Sequence, residues 1–147
     1  DVCSFRVTTA AGDITDANPI GIGLRAKAVM NADFTAYTDY AAFAIEDVAG
    51  VTKDIYIKSN LASAGTVSDD TGVNWSDTTA IAFEVQVDIN GLCTFLIDDV
   101  DVSSVQTPAF SFAAGTILIP FYSLILEAGD ARMEIRKWFS IADILTK

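Results

Sequence analysis

Residues 80–101, AIAFEVQVDINGLCTFLIDDVD, leave few folds open to this chain. Phe83, Val85 and Val87 alternate with Glu84, Gln86 and Asp88, the period-two pattern of a strand with one face buried. After Asn90-Gly91, Cys93, Phe95 and Ile97 alternate with Thr94 and Leu96. A two-residue turn at Asn90-Gly91 would put Cys93, Phe95 and Ile97 on the face of Glu84, Gln86 and Asp88. A three-residue turn, Ile89-Asn90-Gly91, pairs Asp88 with Leu92 instead. Val87 then faces Cys93, Val85 faces Phe95 and Phe83 faces Ile97. A one-residue slip moves a whole apolar set to the wrong face, so the pattern predicts the three-residue turn with Gly91 as a left-handed bulge. Glycine takes that conformation without a Cβ clash.

The 147 residues predict a single domain over 1–147, with room for a sizeable core. Asp outnumbers Glu 16 to 4. Asp suits turns and Glu suits helices, so the balance favours a β-protein with many turns. Net charge is −11, which repels phosphate backbones and anionic membranes and argues against both as partners. No apolar stretch reaches the ~18–20 residues needed to span a bilayer as a helix.

Turn signals divide the rest of the chain into short segments. Strands are predicted at 2–8, 22–30, 40–45, 52–58, 83–88, 92–97, 108–112, 116–126 and 132–141. Residues 12–21 and 61–77 read as loops. No segment holds a 3.6-residue period, and residues 141–147 read as a helical turn or a last short strand. About nine strands without crossover helices mean an antiparallel sandwich or barrel. The strand TILIPFYSLIL is apolar on both sides, so either a loop or a partner subunit must cover its outer face. Strict alternation along the last strand puts Met133, Ile135, Phe139 and Ile141 in the core. Glu134, Arg136, Trp138 and Ser140 then face outward.

The chemistry-bearing residues are few. The absence of histidine excludes Ser-His-Asp and Cys-His catalysis as usually built. Gly21-Ile22-Gly23 lacks the rest of a phosphate loop. Glu84 and Asp88 share a face but lie roughly 13 Å apart, beyond the separation of a glycosidase pair. Asp98, Asp99 and Asp101 could bind Ca²⁺, as could Asp69, Asp70 and Asp77 in the acidic loop. Two thiols without histidine do not complete a zinc shell, so no metal and no cofactor are expected. Cys3 and Cys93 read as buried free thiols, or as a bridge if the first strand lies beside the hairpin. Trp75 and Trp138 are the candidate contact residues for a partner or a glycan, with Tyr37 and Tyr40 as further stacking platforms.

FEVQVDINGLCTFLIDDVDV resembles the signature hairpin of concanavalin A-like jelly rolls. FSFAAGTILIPFYSLIL and RMEIRKWFSIADI resemble that superfamily's later strands, and VMNADFTAYTDYAAFAIEDVAG resembles a region of its phage-encoded members, with Ala44 where they carry glycine. The likeness runs from about Lys27 to Ile144 and implies an all-β antiparallel sandwich. Two familiar functional patterns are missing. EVQVD is not the E-x-D-x-x-E of the glucanases, and the lectins' metal pattern includes a histidine. The resemblance to phage members therefore implies a non-enzymatic virion structural protein, either a capsid decoration or cement protein or a fibre or spike domain. Such a protein would sit on the capsid or tail surface of a bacteriophage, form a homo-oligomer and contact other virion proteins such as the major capsid protein. The alternative is a carbohydrate-binding module of a virus or cell surface, with a glycan as partner.

Overall fold

The computed structural model describes residues 3–14, 17–47, 52–62, 65–76, 78–126 and 132–141; at 11–13, 47, 52, 126, 132 and 138–141 it describes the backbone alone. The chain is an all-β antiparallel sandwich of the jelly-roll class that the sequence predicts. Its strands are β1 (Cys3–Asp13), β2 (Ala17–Ala26), β3 (Tyr40–Asp47), β4 (Thr52–Leu61), β5 (Gly65–Ser76), β6 (Ala80–Val87), β7 (Cys93–Ile97), β8 (Val100–Asp101), β9 (Leu118–Leu126) and β10 (Arg132–Ile141). Sheet A runs β10-β1-β6-β7-β8 and sheet B runs β5-β4-β3-β2-β9.

The hairpin of β6 and β7 has the predicted register: Phe83 pairs with Ile97, Val85 with Phe95 and Val87 with Cys93. Gly91 sits at φ +86°, and its N–H donates to the Asp88 carbonyl at 2.9 Å. The Asp88 carboxylate accepts the N–H groups of Leu92 and Asn90, both at 2.8 Å. The next turn, Asp98-Asp99, is a two-residue hairpin with both residues at positive φ, 49° and 69°. Asp98 holds it by accepting the Ala82 N–H at 2.9 Å.

The alternating residues of both sheets meet in one core. Phe43 of sheet B packs on Phe83 and Phe95 of sheet A at ring distances of 5.1 and 5.5 Å. Phe110 and Phe112 close one end, edge to face at 4.9 Å. The predicted strand at 108–112 is reduced to one bridge, Leu92 to Ser111. Its backbone ties to the hairpin instead: Cys93 N–H donates to Phe110 O, and Phe112 N–H to Gly91 O. Gln106, also buried, donates to Ser59 of sheet B at 2.8 Å.

Three sequence expectations change, and the choice left open for the cysteines is settled. The predicted loop at 61–77 contains β5, an edge strand whose half-buried positions include the polar Asp69 and Thr71, so its alternation carries little apolar signal. β2 begins at Ala17, inside the predicted loop at 12–21. In β10 the pairing jumps from Thr8–Lys137 to Thr9–Ile135, a bulge that leaves Arg136 extra. One extra residue reverses the alternation beyond it, so Trp138 and Ser140, not Phe139 and Ile141, pair with the core residues Val7 and Phe5. Ile135 keeps the parity of Met133, pairs with Thr9 on an edge strand, and is 47% exposed where the core was expected. Met133 does pack against the core, while the side chains of Phe139 and Ile141 lie outside the described residues. Cys3 and Cys93 flank Val87 on opposite sides in sheet A. Two strand spacings, roughly 9.5 Å, exceed the reach of a disulfide. Both cysteines are buried and do not bridge each other, and burial pushes the Cys93 thiol well above its ordinary pKa.

Two predictions test the hairpin. A Cβ on Gly91 would lie 2.1 Å from the Phe112 carbonyl oxygen, on top of the positive φ. Gly91→Ala should therefore cost at least about 2 kcal/mol in urea unfolding. The amide donors, Leu92 first, hold the Asp88 pKa below its ordinary 3.8. A folded pKa below the unfolded one adds stability above the unfolded pKa and loses it as pH falls through the folded one. Asp88→Asn should flatten the fall in urea midpoint below about pH 4.

Candidate functional site

The outer face of sheet B carries a second cluster of buried residues. Inward residues of β2 and β3 are large: Ile20, Ile22, Leu24, Phe43 and Ile45. Their outward neighbours Gly21, Gly23, Ala42 and Ala44 are small. Onto this shallow floor folds the segment between β2 and β3. Asp33 accepts the Thr35 N–H and hydroxyl, both at 2.8 Å, and starts a short 3-10 turn, Phe34–Ala36. Phe34 is wholly buried against Tyr40, Phe121, Ala42 and Ala44. A Cβ on Gly21 would lie 2.4 Å from the Phe34 ring, so only glycine admits it. Asn60 of β4 pins the segment by donating to the Tyr37 carbonyl at 3.0 Å. The outer face of TILIPFYSLIL is thus covered by the chain's own loop, through Phe121.

Beside this cover lies a cleft of about 610 Å³. Its walls come from Met30 and Asn31 of the loop, residues 120–124 of β9 and Ile135 of β10. Arg25 and Tyr37 also line it. The Arg25 guanidinium stands 4.4 Å from the centre of the Tyr37 ring, within cation–π range. Its Nη1 donates to the carbonyls of Ala26 at 3.2 Å and Ala28 at 3.3 Å. Arg25 is only 9% exposed, and no carboxylate pairs with it among the described residues.

Towards β5 the same face turns polar. Tyr56 is half-buried on β4, paired with Ala44 on one side and Asp70 on the other. Asp54, Asn60, Ser68 and Asn74 share its face by register. Lys58 forms an ion pair with Glu46 across the small residues of β3. Partial burial and the carboxylates of Asp70, Asp54 and Glu46 hold the Tyr56 phenol above its ordinary pKa.

The residues singled out from sequence fall elsewhere. Trp75 is fully buried, its ring against Phe83 and its N–H donated to the Thr79 carbonyl at 3.1 Å, so it offers no stacking face. Trp138 pairs with Val7 in the register, and its side chain lies outside the described residues. Tyr40 is enclosed beneath the loop, while Tyr37 lines the cleft. Asp98 accepts the Ala82 N–H of β6, and Asp101 accepts the Ser103 N–H of its own turn. Asp99 pairs with Arg6, which also meets Glu84 at 2.9 Å. Among the described residues no group of three or more metal-type ligands converges. Asp77 lies outside them. The alternation of β4 places Tyr56 outward, a signal that could have nominated it. Arg25 also reads as outward from sequence; only the loop above it makes it a buried group.

No family model and no curated protein matches this chain. Among solved structures it is similar to polysaccharide lyase family 18 aly-SJ02, with a TM-score of 0.47 and 10% identity. The match covers 90% of this chain and 49% of that one, so this chain spans about half its length. That structure is an enzyme's, and nothing found beside it speaks for a virion. The expectation of a phage structural protein, and the expectation of a chain without enzymatic activity, are both corrected on that finding. The likeness is one of shape, and no residue role is carried over from it.

The buried cover makes a direct prediction. Among the described residues the Tyr40 hydroxyl has no hydrogen-bond partner, and burial, with Asp33 and Glu46 nearby, pushes its pKa up to about 12. A buried unpaired hydroxyl costs about 1–3 kcal/mol. Tyr40→Phe should therefore raise the urea midpoint and leave the near-ultraviolet dichroism of a folded core in place.

Proposed function

We propose that this chain is a carbohydrate-binding module whose site is the outer face of sheet B around Tyr56. The observation that carries the reading is a half-buried tyrosine ring on an open sheet face, ringed by planar or short polar side chains. A pyranose presents a ring of C–H groups to an aromatic face and hydroxyls around its rim. Tyr56 supplies the apolar platform with a polar edge. Asp54, Asp70 and Asn74 supply the donors and acceptors that vicinal hydroxyls need. The scaffold suits the task because β3, β4 and β5 are hydrogen-bonded neighbours. Such a site is set before the ligand arrives, which lowers the entropy lost on binding. The surrounding carboxylates and the net charge of −11 favour neutral over anionic glycans at this face.

Retardation in native gels cast with neutral polysaccharides tests the reading. The wild-type chain should be slowed by at least one neutral glycan. Tyr56→Ala should weaken that retardation about tenfold, equivalent to ~1.4 kcal/mol, with an unchanged melting temperature. Unaltered retardation of the folded variant, or none for the wild type across the panel, sinks the proposal.

A further inference from the structure

The cleft beside β9 combines three features that the saccharide reading does not use. The first is an open strand edge. Lys27 N–H donates to Ile117 O at 2.9 Å, while Ala26 N–H points the other way, to Asp39 O. The β2–β9 register continues from Lys27–Ile117 through Arg25–Ile119, Gly23–Phe121 and Gly21–Ser123. In an antiparallel pair hydrogen-bonded and non-bonded positions alternate. The odd residues of β9 therefore bond β2, and the amides of Tyr122 and Leu124 point away from it. Pro120, which has no N–H to offer, falls at one of these outward positions, as a proline on an edge strand should. β9 ends its sheet, so among the described residues this row has no strand beyond it.

The second feature is apolar. Met30, Leu124 and Ile135 are 85%, 38% and 47% exposed, and all three line the cleft. The third is Arg25, at the Pro120 end of the same cleft. A guanidinium removed from water normally keeps a carboxylate beside it. This one, in a chain with 20 acidic residues, has among the described residues only a ring face and two carbonyls. Its Nε is enclosed and its Nη1 is used, which leaves Nη2 as the donor for a ligand.

We propose that this cleft binds the C-terminal residues of an extended peptide, added as a strand to the free edge of β9 with its terminal carboxylate on Arg25. Backbone pairing to an open edge supplies affinity, and side-chain pockets supply selectivity. Residues 120–124 span roughly 14 Å, room for about four peptide residues. Direction follows from charge. The guanidinium lies at the Pro120 end, so a peptide carboxylate there runs antiparallel to β9. The parallel arrangement would bring an ammonium to Arg25. An apolar side chain then falls near Leu124 and Ile135. Basic residues further upstream would gain from the acidic surface. The proposal is independent of the saccharide site around Tyr56.

The test uses hexapeptides randomised at the last four positions, made as free acids and as C-terminal amides. The immobilised protein should retain free acids with an apolar residue at one fixed distance from the carboxylate. A selected peptide should bind at least tenfold more weakly as its amide, by fluorescence anisotropy. Arg25→Gln should lose a similar factor and Arg25→Lys less. Ile135→Asp, at an exposed position, should also weaken binding if Arg25→Gln does not fold. Equal binding of acid and amide, or undiminished binding by folded Arg25→Gln, overturns the proposal. So does failure to retain any peptide. Retention of uronic-acid oligosaccharides in an Arg25-dependent way, with no peptide bound, would overturn it too and assign the cleft to an acidic sugar. Loss of neutral-glycan retention with Tyr56→Ala is read separately, so either site can fail alone.

Discussion

The placement of one ring decides what sheet B can present. Phe34 occupies the space where a Cβ of residue 21 would stand. Around it gather Tyr37, Tyr40 and Phe121, with ring centroids 5.7 to 6.0 Å apart. A sandwich usually buries one face of each sheet and leaves the other to water. Here the β2, β3 and β9 part of sheet B is buried on both faces, by Phe43 and its partners within and by Phe34 without. The cover stops at β4, and Tyr56 and the polar residues beyond it stay at the surface. It also stops short of β9's outer edge, which leaves the cleft. Both candidate sites are borders of this second core.

How much of this the sequence showed depends on the range of the contact. The β6–β7 hairpin was legible because its register is fixed by two adjacent segments, and one slip would bury Glu84 and Gln86. The double-sided apolar character of TILIPFYSLIL was legible as a strand needing cover. Its cover was not, because Phe34 sits in a stretch of turn-forming residues and its partner, Gly21, lies in a different strand. Trp75 misled for a related reason. It is the inward residue at the end of an edge strand whose other residues are largely polar, so local composition made it look like part of a loop. The β10 bulge at Arg136 was hidden altogether. Alternation is a parity argument, and one unpaired residue reverses it for everything beyond.

The distribution of positive charge separates the two faces of the molecule. On sheet A, Arg6 is held between Glu84 and Asp99. Glu84, although burial raises its pKa, ends below its ordinary value because Gln86, Ser4 and Arg6 all hydrogen-bond it. That network is locally complete, and its groups are committed to one another. On sheet B, Lys58 is likewise matched by Glu46. Arg25 differs in kind. Its partners are neutral, so its charge is screened by geometry but not cancelled.

This difference bears on which ligand each border can hold. At Tyr56 the surrounding side chains are carboxylates and amides, which reward hydroxyls and repel a second anion. At the cleft the one full charge is a cation with a bare edge of backbone amides beside it, and the remaining wall is apolar. A neutral sugar would leave that guanidinium as poorly matched as before, and would set its hydroxyls against Met30, Leu124 and Ile135. An extended chain ending in a carboxylate meets all three walls together. Binding there would supply the missing counter-charge of a buried group, and such charge-assisted hydrogen bonds are about twice as strong as neutral ones. The gain is largest where water is excluded, and Arg25, enclosed between the Tyr37 ring and the loop carbonyls, is the one described guanidinium on this face so placed.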